Sequence, residues 1–228
     1  MKLLWIVSAV LAFAASPSAA APDAFQASYT VSAKGLDMGV MKASLRYTGD
    51  TYTYQKVTEA NGLAALLSGD TLTERSSGTK QAAHLLPQDY LHHHKNKRKD
   101  KKDEFRFTTP TQVAGAVDGN AYQLSVPAGT LDMAVLELYL MDALATDQAL
   151  NYHVVSKGKV QDYRLRKLGK ETIEVPAGRY ECEKLEVLHN NKTRQTTLWL
   201  APALNYALVQ VRHQEDGEVI ETRLKNYQ

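Results

Sequence analysis

Residues 194–227, RQTTLWLAPALNYALVQVRHQEDGEVIETRLKNY, read as three successive β-strands and decide the fold. Apolar and polar residues alternate through Arg194–Leu200, Tyr206–His213 and Glu218–Tyr227, the period of a strand with one buried face. Pro202 ends the first run, and Asp216-Gly217 is a tight-turn signal between the last two.

The pattern continues outward in both directions. Upstream lie Tyr152–Val155, a turn at Lys157-Gly158-Lys159, then Val160–Leu168, Lys170–Val175 and Tyr180–His189, with Asn190-Asn191 as a hairpin turn. Near the N-terminus, Phe25, Ala27, Tyr29 and Val31 share one face, followed by a turn across Gly35–Gly39. Met41, Ala43, Leu45 and Tyr47 mark a second strand, Gly49-Asp50 a turn, and Thr51–Ala60 a third. This opening is a β-meander. Asp70–His84 is expected to form a hairpin turning at SSGT (76–79), and 108–128 a loop with one short strand near Tyr122–Val126. One long helix is expected over about 131–145, where Leu136, Leu140 and Leu144, with Met133 and Tyr139, form an apolar stripe suited to dock on a sheet. The predicted fold is mainly β: a single domain of about 10–12 antiparallel strands in a strongly curved sheet or partly closed barrel, with that helix against it.

The first twenty residues, MKLLWIVSAVLAFAASPSAA, have the form of a secretory signal peptide. Lys2 is the positive start, Leu3–Ala15 the apolar core broken by Ser8, and Ser18 and Ala20 the small residues before a cut ahead of Ala21. The apolar run, about 13 residues, is short of the roughly 20 that span a bilayer. The expected product is therefore residues 21–228, a single β-rich exported domain, located in the periplasm of a Gram-negative cell and without a membrane-spanning helix. Removing Lys2 from the 27 basic residues leaves 26 against 25 acidic, a balance with no global field for nucleic acid or anionic membrane. The one cysteine, Cys182, cannot form an intramolecular disulfide and lies in a strand-like run, where a buried structural thiol is expected over a reactive one.

Four features bear on chemistry. His92, His93 and His94 invite a metal assignment, but alternate strand residues face apart, a third ligand such as His84 would be needed, and neighbouring lysines repel cations; no metal site is expected. The run KNKRKDKK (95–102) holds six cations, making Lys95, Lys97, Arg98 and Lys99 candidates for an anion-binding patch or else a solvated hairpin that deters edge aggregation. It lacks aromatics for base stacking, so nucleic acid is not an expected partner. The apolar segment NGLAALLS (61–68) reads as a helical turn or a loop over a barrel mouth, and Leu63, Leu66 and Leu67 are candidate ligand contacts. Trp199 either stacks on a ligand or fills the core. No nucleophile elbow, H-E-x-x-H pair or phosphate loop is present, and Asp132, Glu137 and Asp142 do not share a helix face. No catalytic residue and no cofactor is assigned.

These segments together resemble a bacterial exported family of unknown function, DUF3108. The resemblance is carried by Tyr29–Val31 with Gly35 and Gly39, by GLAAL (62–66), Leu86-Pro87 and Leu131-Asp132. Most clearly it is carried by GKETIEVPAG (169–178), TLWLAP (197–202) and EDGEVIE (215–221), so that nearly the whole mature chain is covered. It implies an antiparallel β protein of the cell envelope with no activity or catalytic residue to transfer. The W-x-x-P element at Trp199–Pro202 is also similar in outline to periplasmic carriers of lipoproteins, whose curved sheets shelter acyl chains; this is an analogy of fold. The expected function is a non-enzymatic module holding an apolar or lipid-like ligand in its curved sheet. The alternatives are an assembly factor binding an envelope protein and, ranked lower, an envelope hydrolase or glycan-modifying enzyme.

Overall fold

The computed structural model describes residues 21–82 and 84–228, without the side chains of Leu63, Leu66 and Leu67. The expected signal peptide, residues 1–20, lies outside the described residues.

Fifteen strands form one sheet. The first eight are β1 (Phe25–Ala33), β2 (Leu36–Thr48), β3 (Thr51–Ala60), β4 (Thr71–Gln81), β5 (His84–Lys95), β6 (Asp100–Thr109), β7 (Gln112–Val117) and β8 (Asn120–Ser125). A two-residue strand β9 (Leu131–Asp132) follows, then β10 (Asn151–Ser156), β11 (Lys159–Val175), β12 (Gly178–Val187), β13 (Arg194–Ala201), β14 (Ala207–Glu215) and β15 (Glu218–Tyr227). Among the described residues two α-helices interrupt the series, α1 (Gly62–Leu67) between β3 and β4 and α2 (Val135–Ala145) between β9 and β10, and a single 3-10 turn (Pro202–Leu204) separates β13 from β14.

Except for β8 and β9, each strand pairs with its sequence neighbours, most of them joined by short turns, and all pairs are antiparallel except β9–β10. The chain's first and last strands also pair, Ala27 opposite Tyr227, so both halves of the meander join at the middle of the sheet. Its edges are β8 and β9, and among the described residues no backbone hydrogen bonds close the sheet. Strand twist bends so many strands into a trough.

Helix α2 packs into one half of that trough. Val135, Leu136, Leu138, Leu140, Met141, Ala143 and Leu144 are all buried, so the helix is apolar around its circumference rather than along one stripe. Leu138 and Met141 pack in the cluster containing Tyr29, Leu45 and Tyr54, while Leu140 and Leu144 pack with Leu165, Leu185, Leu200 and Leu208. The Tyr29 hydroxyl donates to the Leu208 carbonyl at 3.1 Å, tying β1 to β14.

Several local expectations are corrected. Residues 108–128 contain two paired strands, β7 and β8. The helix begins at Val135, after Leu131 and Asp132 have paired with Val154 and Val155. SSGT (76–79) is no turn; β4 runs straight through it, with a bulge between Ser77 and Gly78. Ser76 points into the core and is held there by Asp132, while at Gly78 a Cβ would lie 2.0 Å from the Leu86 carbonyl oxygen. The glycine answers close strand approach, not a turn. Gly78→Ala is therefore expected to lose about 1–3 kcal/mol, read as a lower urea midpoint, because β5 must move away from its neighbour.

Candidate functional site at one end of the sheet

In a meander alternate links fall at the same end. Lys34-Gly35, α1, the β5–β6 turn at residues 96–99, Asp118-Gly119, Lys157-Gly158 and Asp216-Gly217 therefore share one end. Helix α2 runs away from it, since Met141, Asp142 and Ala145 border a hollow with Pro22, Pro202 and Asn205 at the opposite end. The concavity is plugged by α2 in one half, and toward the other end a cleft of about 480 Å³ lies among Glu74, His92, Asp103, Met133 and Lys157.

The open end has an apolar wall. Ala33 pairs with Leu36 on one side and Ile220 on the other, placing the three on one sheet face. Leu36 is 68% exposed, Ile220 46% and Met38 39%, large apolar side chains left in water at one rim. The Asn61 N–H donates to the Met38 carbonyl at 3.0 Å, anchoring the start of α1 to this wall.

Beside it in the same sheet stands a charged wall. Register places Lys56, Glu74, His92 and Asp103 side by side on β3, β4, β5 and β6, a row of acids and bases on the concave face. The Lys56 ammonium lies 2.8 Å from Glu74 and 3.2 Å from Glu137 of α2, and the Tyr90 hydroxyl donates to Glu74 at 2.8 Å. Burial alone would depress the Lys56 pKa, but the two carboxylates outweigh it and raise it. Burial would likewise raise Glu74, and the Lys56 charge with bonds from Lys56 and Tyr90 holds it below the usual range. Asp103 is held above its ordinary range by burial, although it accepts from the Lys157 backbone N–H at 2.7 Å.

Deeper in the core, the Tyr52 hydroxyl meets Ser76 Oγ at 2.9 Å, and Ser76 donates to Asp132 Oδ2 at 2.6 Å. Asp132 Oδ1 accepts the Ala134 and Val135 N–H groups at 2.9 and 2.7 Å, satisfying donors at the start of α2. Burial pushes Asp132 up to about 7. Ser76 and Asp132 are wholly buried, so this chain of hydroxyls and carboxylate seats the helix and has no room for a substrate.

Tertiary structure brings two of the sequence candidates together. The Lys97 N–H donates to the Ser68 carbonyl at 3.1 Å, docking the basic hairpin on the end of α1. His94 and the Asn96 amide both bond Asp70, at 2.8 and 2.7 Å, and Asn96 Oδ1 accepts from the Arg98 and Lys99 N–H groups. Bonds from Ser68, Asn96 and His94 lower Asp70 to about 2. Lys95 stands 4.0 Å from Asp100, and the charged tip is exposed. Leu63, Leu66 and Leu67 lie on α1 beside this hairpin, their side chains outside the described residues.

Trp199 is not brought to this end. It is 6% exposed, its Nε1 donates to Glu171 at 3.0 Å and Lys184 covers its ring at 5.3 Å. Cys182 is fully buried, and burial pushes its thiol up to about 11, which leaves it protonated and inert. Among the described residues no group of three or more His, Cys, Asp or Glu could hold a metal; His93 is engaged by Asp100 at 2.6 Å and His94 by Asp70.

Sequence reasoning missed Lys56, Glu74 and Asp103 as interior charges. A signal existed: Lys56 has the same strand parity as Tyr52 and Tyr54, the buried face of β3.

The sequence model of a family described as a protein of unknown function, DUF3108, matches residues 28–224. The chain belongs to the DUF3108 family. No curated protein matches it. Among solved structures, the DUF3108 chain is similar to a β-barrel-like protein of the DUF1849 domain from Brucella abortus, with TM-score 0.55 and 8% identity over 90% of this chain and 96% of that one. At this identity the likeness concerns the fold alone. A candidate lipoprotein from Parabacteroides distasonis matches at TM-score 0.38 and 9% identity, over 92% of this chain and 97% of that one. A candidate exported protein from Bacteroides fragilis with a YmcC-like fold matches at 0.30 and 11%, over 90% and 94%. No helix among the described residues of this DUF3108 protein is long and apolar enough to cross a membrane.

Proposed function

We propose that this DUF3108 protein is an exported, non-enzymatic binding module of the cell envelope that receives a lipid-like ligand at the open end of its sheet. Export is supported by the form of residues 1–20. The observation that carries the reading is the exposed wall of Leu36, Met38 and Ile220, with the Leu-rich α1 anchored beside it and the basic hairpin docked on α1. Such an arrangement pairs an apolar contact for an acyl chain with the basic side chains carried on the β5–β6 strands, behind the exposed hairpin tip, for an acidic group. The half of the trough filled by α2 is excluded, so the ligand sits at the mouth and not along the sheet.

The test is direct. Native mass spectrometry of the mature chain purified from the periplasm should reveal a bound lipid, and a dansyl-labelled undecanoic acid should bind with a blue-shifted emission. Leu36→Asp with Ile220→Asp is expected to weaken the probe about tenfold or more, the worth of one buried apolar side chain. No co-purified lipid together with no probe binding would sink the reading.

A second reading, an assembly factor that pairs with a segment of another envelope protein, is favoured by the outer edge of β8, which has no strand beside it among the described residues. Site-specific crosslinking from Tyr122 or Leu124 to a defined partner protein would support it over the first.

A further inference from the structure

We infer that the acidic group of the ligand is received not by the hairpin tip but in the cleft between β5–β6 and the β10–β11 turn, by the His92 imidazole and the Lys157 ammonium. This deepens the mouth reading and rests on it for the apolar part of the ligand. The cleft has a volume of about 480 Å³ and is walled by strands on one side and by Met133, Ser156 and Lys157 on the other. His92 is half-buried, so a group held beside it is screened less than one on the hairpin tip, while Lys157 stands exposed on its own turn at the cleft's rim.

The sign of the group follows from which side chains are already engaged. Three carboxylates border the cleft, and each is satisfied from within. Glu74 accepts from Lys56 and Tyr90 at 2.8 Å each. Asp103 accepts from the Lys157 N–H at 2.7 Å and the Tyr122 hydroxyl at 3.5 Å. Asp118 accepts from the Lys101 ammonium and the Lys102 N–H, both at 2.8 Å. Of the basic groups, Lys101 is spent on Asp118, Lys102 on Glu104 at 2.7 Å and His94 on Asp70. His92 and the Lys157 ammonium border the cleft with no hydrogen bond or ion pair among the described residues, although Glu74 and Asp103 feel the His92 charge and Asp103 that of Lys157 across the cleft. The donors left over are cationic or N–H groups, and what they fit is a phosphate or carboxylate oxygen. The Lys157 backbone bond to Asp103 fixes the turn that carries one donor over the strand that carries the other, so the pair is preorganised.

Calorimetric titration of the mature chain with dodecyl phosphate below its micelle concentration, dodecyltrimethylammonium and inorganic phosphate tests this. Dodecyl phosphate should bind, the cationic amphiphile of equal chain length should bind at least tenfold more weakly, and His92→Gln and Lys157→Gln should each cost about tenfold for the phosphate alone. Both substitutions keep side-chain size and leave the Lys157 backbone bond intact. If inorganic phosphate binds with the same dependence on His92 and Lys157 while no amphiphile gains from its chain, the cleft is a free-anion seat and the mouth reading falls. If both amphiphiles bind equally and the variants do nothing, the cleft assignment is wrong and the mouth reading stands. No binding of any of the three overturns both.

Discussion

Lys56→Met is expected to destabilise the protein by about 3–5 kcal/mol, a larger loss than truncating most core residues. The Lys56 side chain is 16% exposed, with Glu74 at 16% and Glu137 at 12%, so all three charges have left bulk water. Removing the ammonium strands two carboxylates in a low-dielectric interior, and they face one another across the space it occupied. The triad also joins β3 and β4 to α2, so the helix loses a polar tie to the trough. The cost is one of broken pairing, and that makes it reversible by design. Lys56→Met combined with Glu74→Gln and Glu137→Gln should recover most of the loss, since a neutral buried cluster of similar volume is close to isoenergetic with a paired one. Urea titrations of the single and triple variants decide the matter; a single variant within 1 kcal/mol of the parent chain would show the triad to be solvated.

Stability is also expected to fall with rising pH between about 4 and 8, on the order of 3–5 kcal/mol, through Asp132. Its carboxyl is wholly buried and is pushed up to about 7, chiefly by that burial. A carboxyl raised in the folded state binds its proton more tightly there than in the unfolded chain. Its favourable contribution is complete below the unfolded carboxyl pKa of about 4 and is lost as pH rises through 7. Asp132→Asn removes the titration and keeps the contacts, because the amide oxygen still accepts from Ala134 and Val135 while the amide N–H₂ donates to Ser76. The variant should lose most of the slope from pH 4 to 8 and exceed the parent chain at pH 8. Asp132→Leu should instead be destabilised at every pH, since the start of α2 and the Ser76 hydroxyl lose their partner. Parallel pH profiles for the parent chain and Asp132→Asn would refute the assignment.

Much of this fold was legible in particular residues. The run from Phe25 to Val31 and the pairs Gly49-Asp50, Lys157-Gly158 and Asp216-Gly217 set strands and turns where the structure has them. Ser76 and Gly78 misled for a physical reason: small polar residues and glycine serve turns and also serve places where strands crowd. At residues 76–79 the crowding of β5 and the buried bond to Asp132 won over turn chemistry. The second face of α2 was overlooked because a stripe through Leu136, Leu140 and Leu144 satisfies the helical period, and Leu138 and Met141 on the other sides become meaningful only when a sheet surrounds the helix.

The candidate site was half legible. NGLAALLS and KNKRKDKK stand out in the chain as an apolar and a cationic segment, about thirty positions apart, and nothing local says that they touch. What the sequence alone determined is whatever depends on near neighbours: alternation, turn chemistry and the order of strands in a meander. The tertiary structure decided which distant residues share a row. The alignment of Lys56, Glu74, His92 and Asp103, the docking of Lys97 on Ser68 and the filling of one half of the trough all depend on register accumulated over many strands. A single bulge such as the one at Ser77/Gly78 resets that register for every strand beyond it.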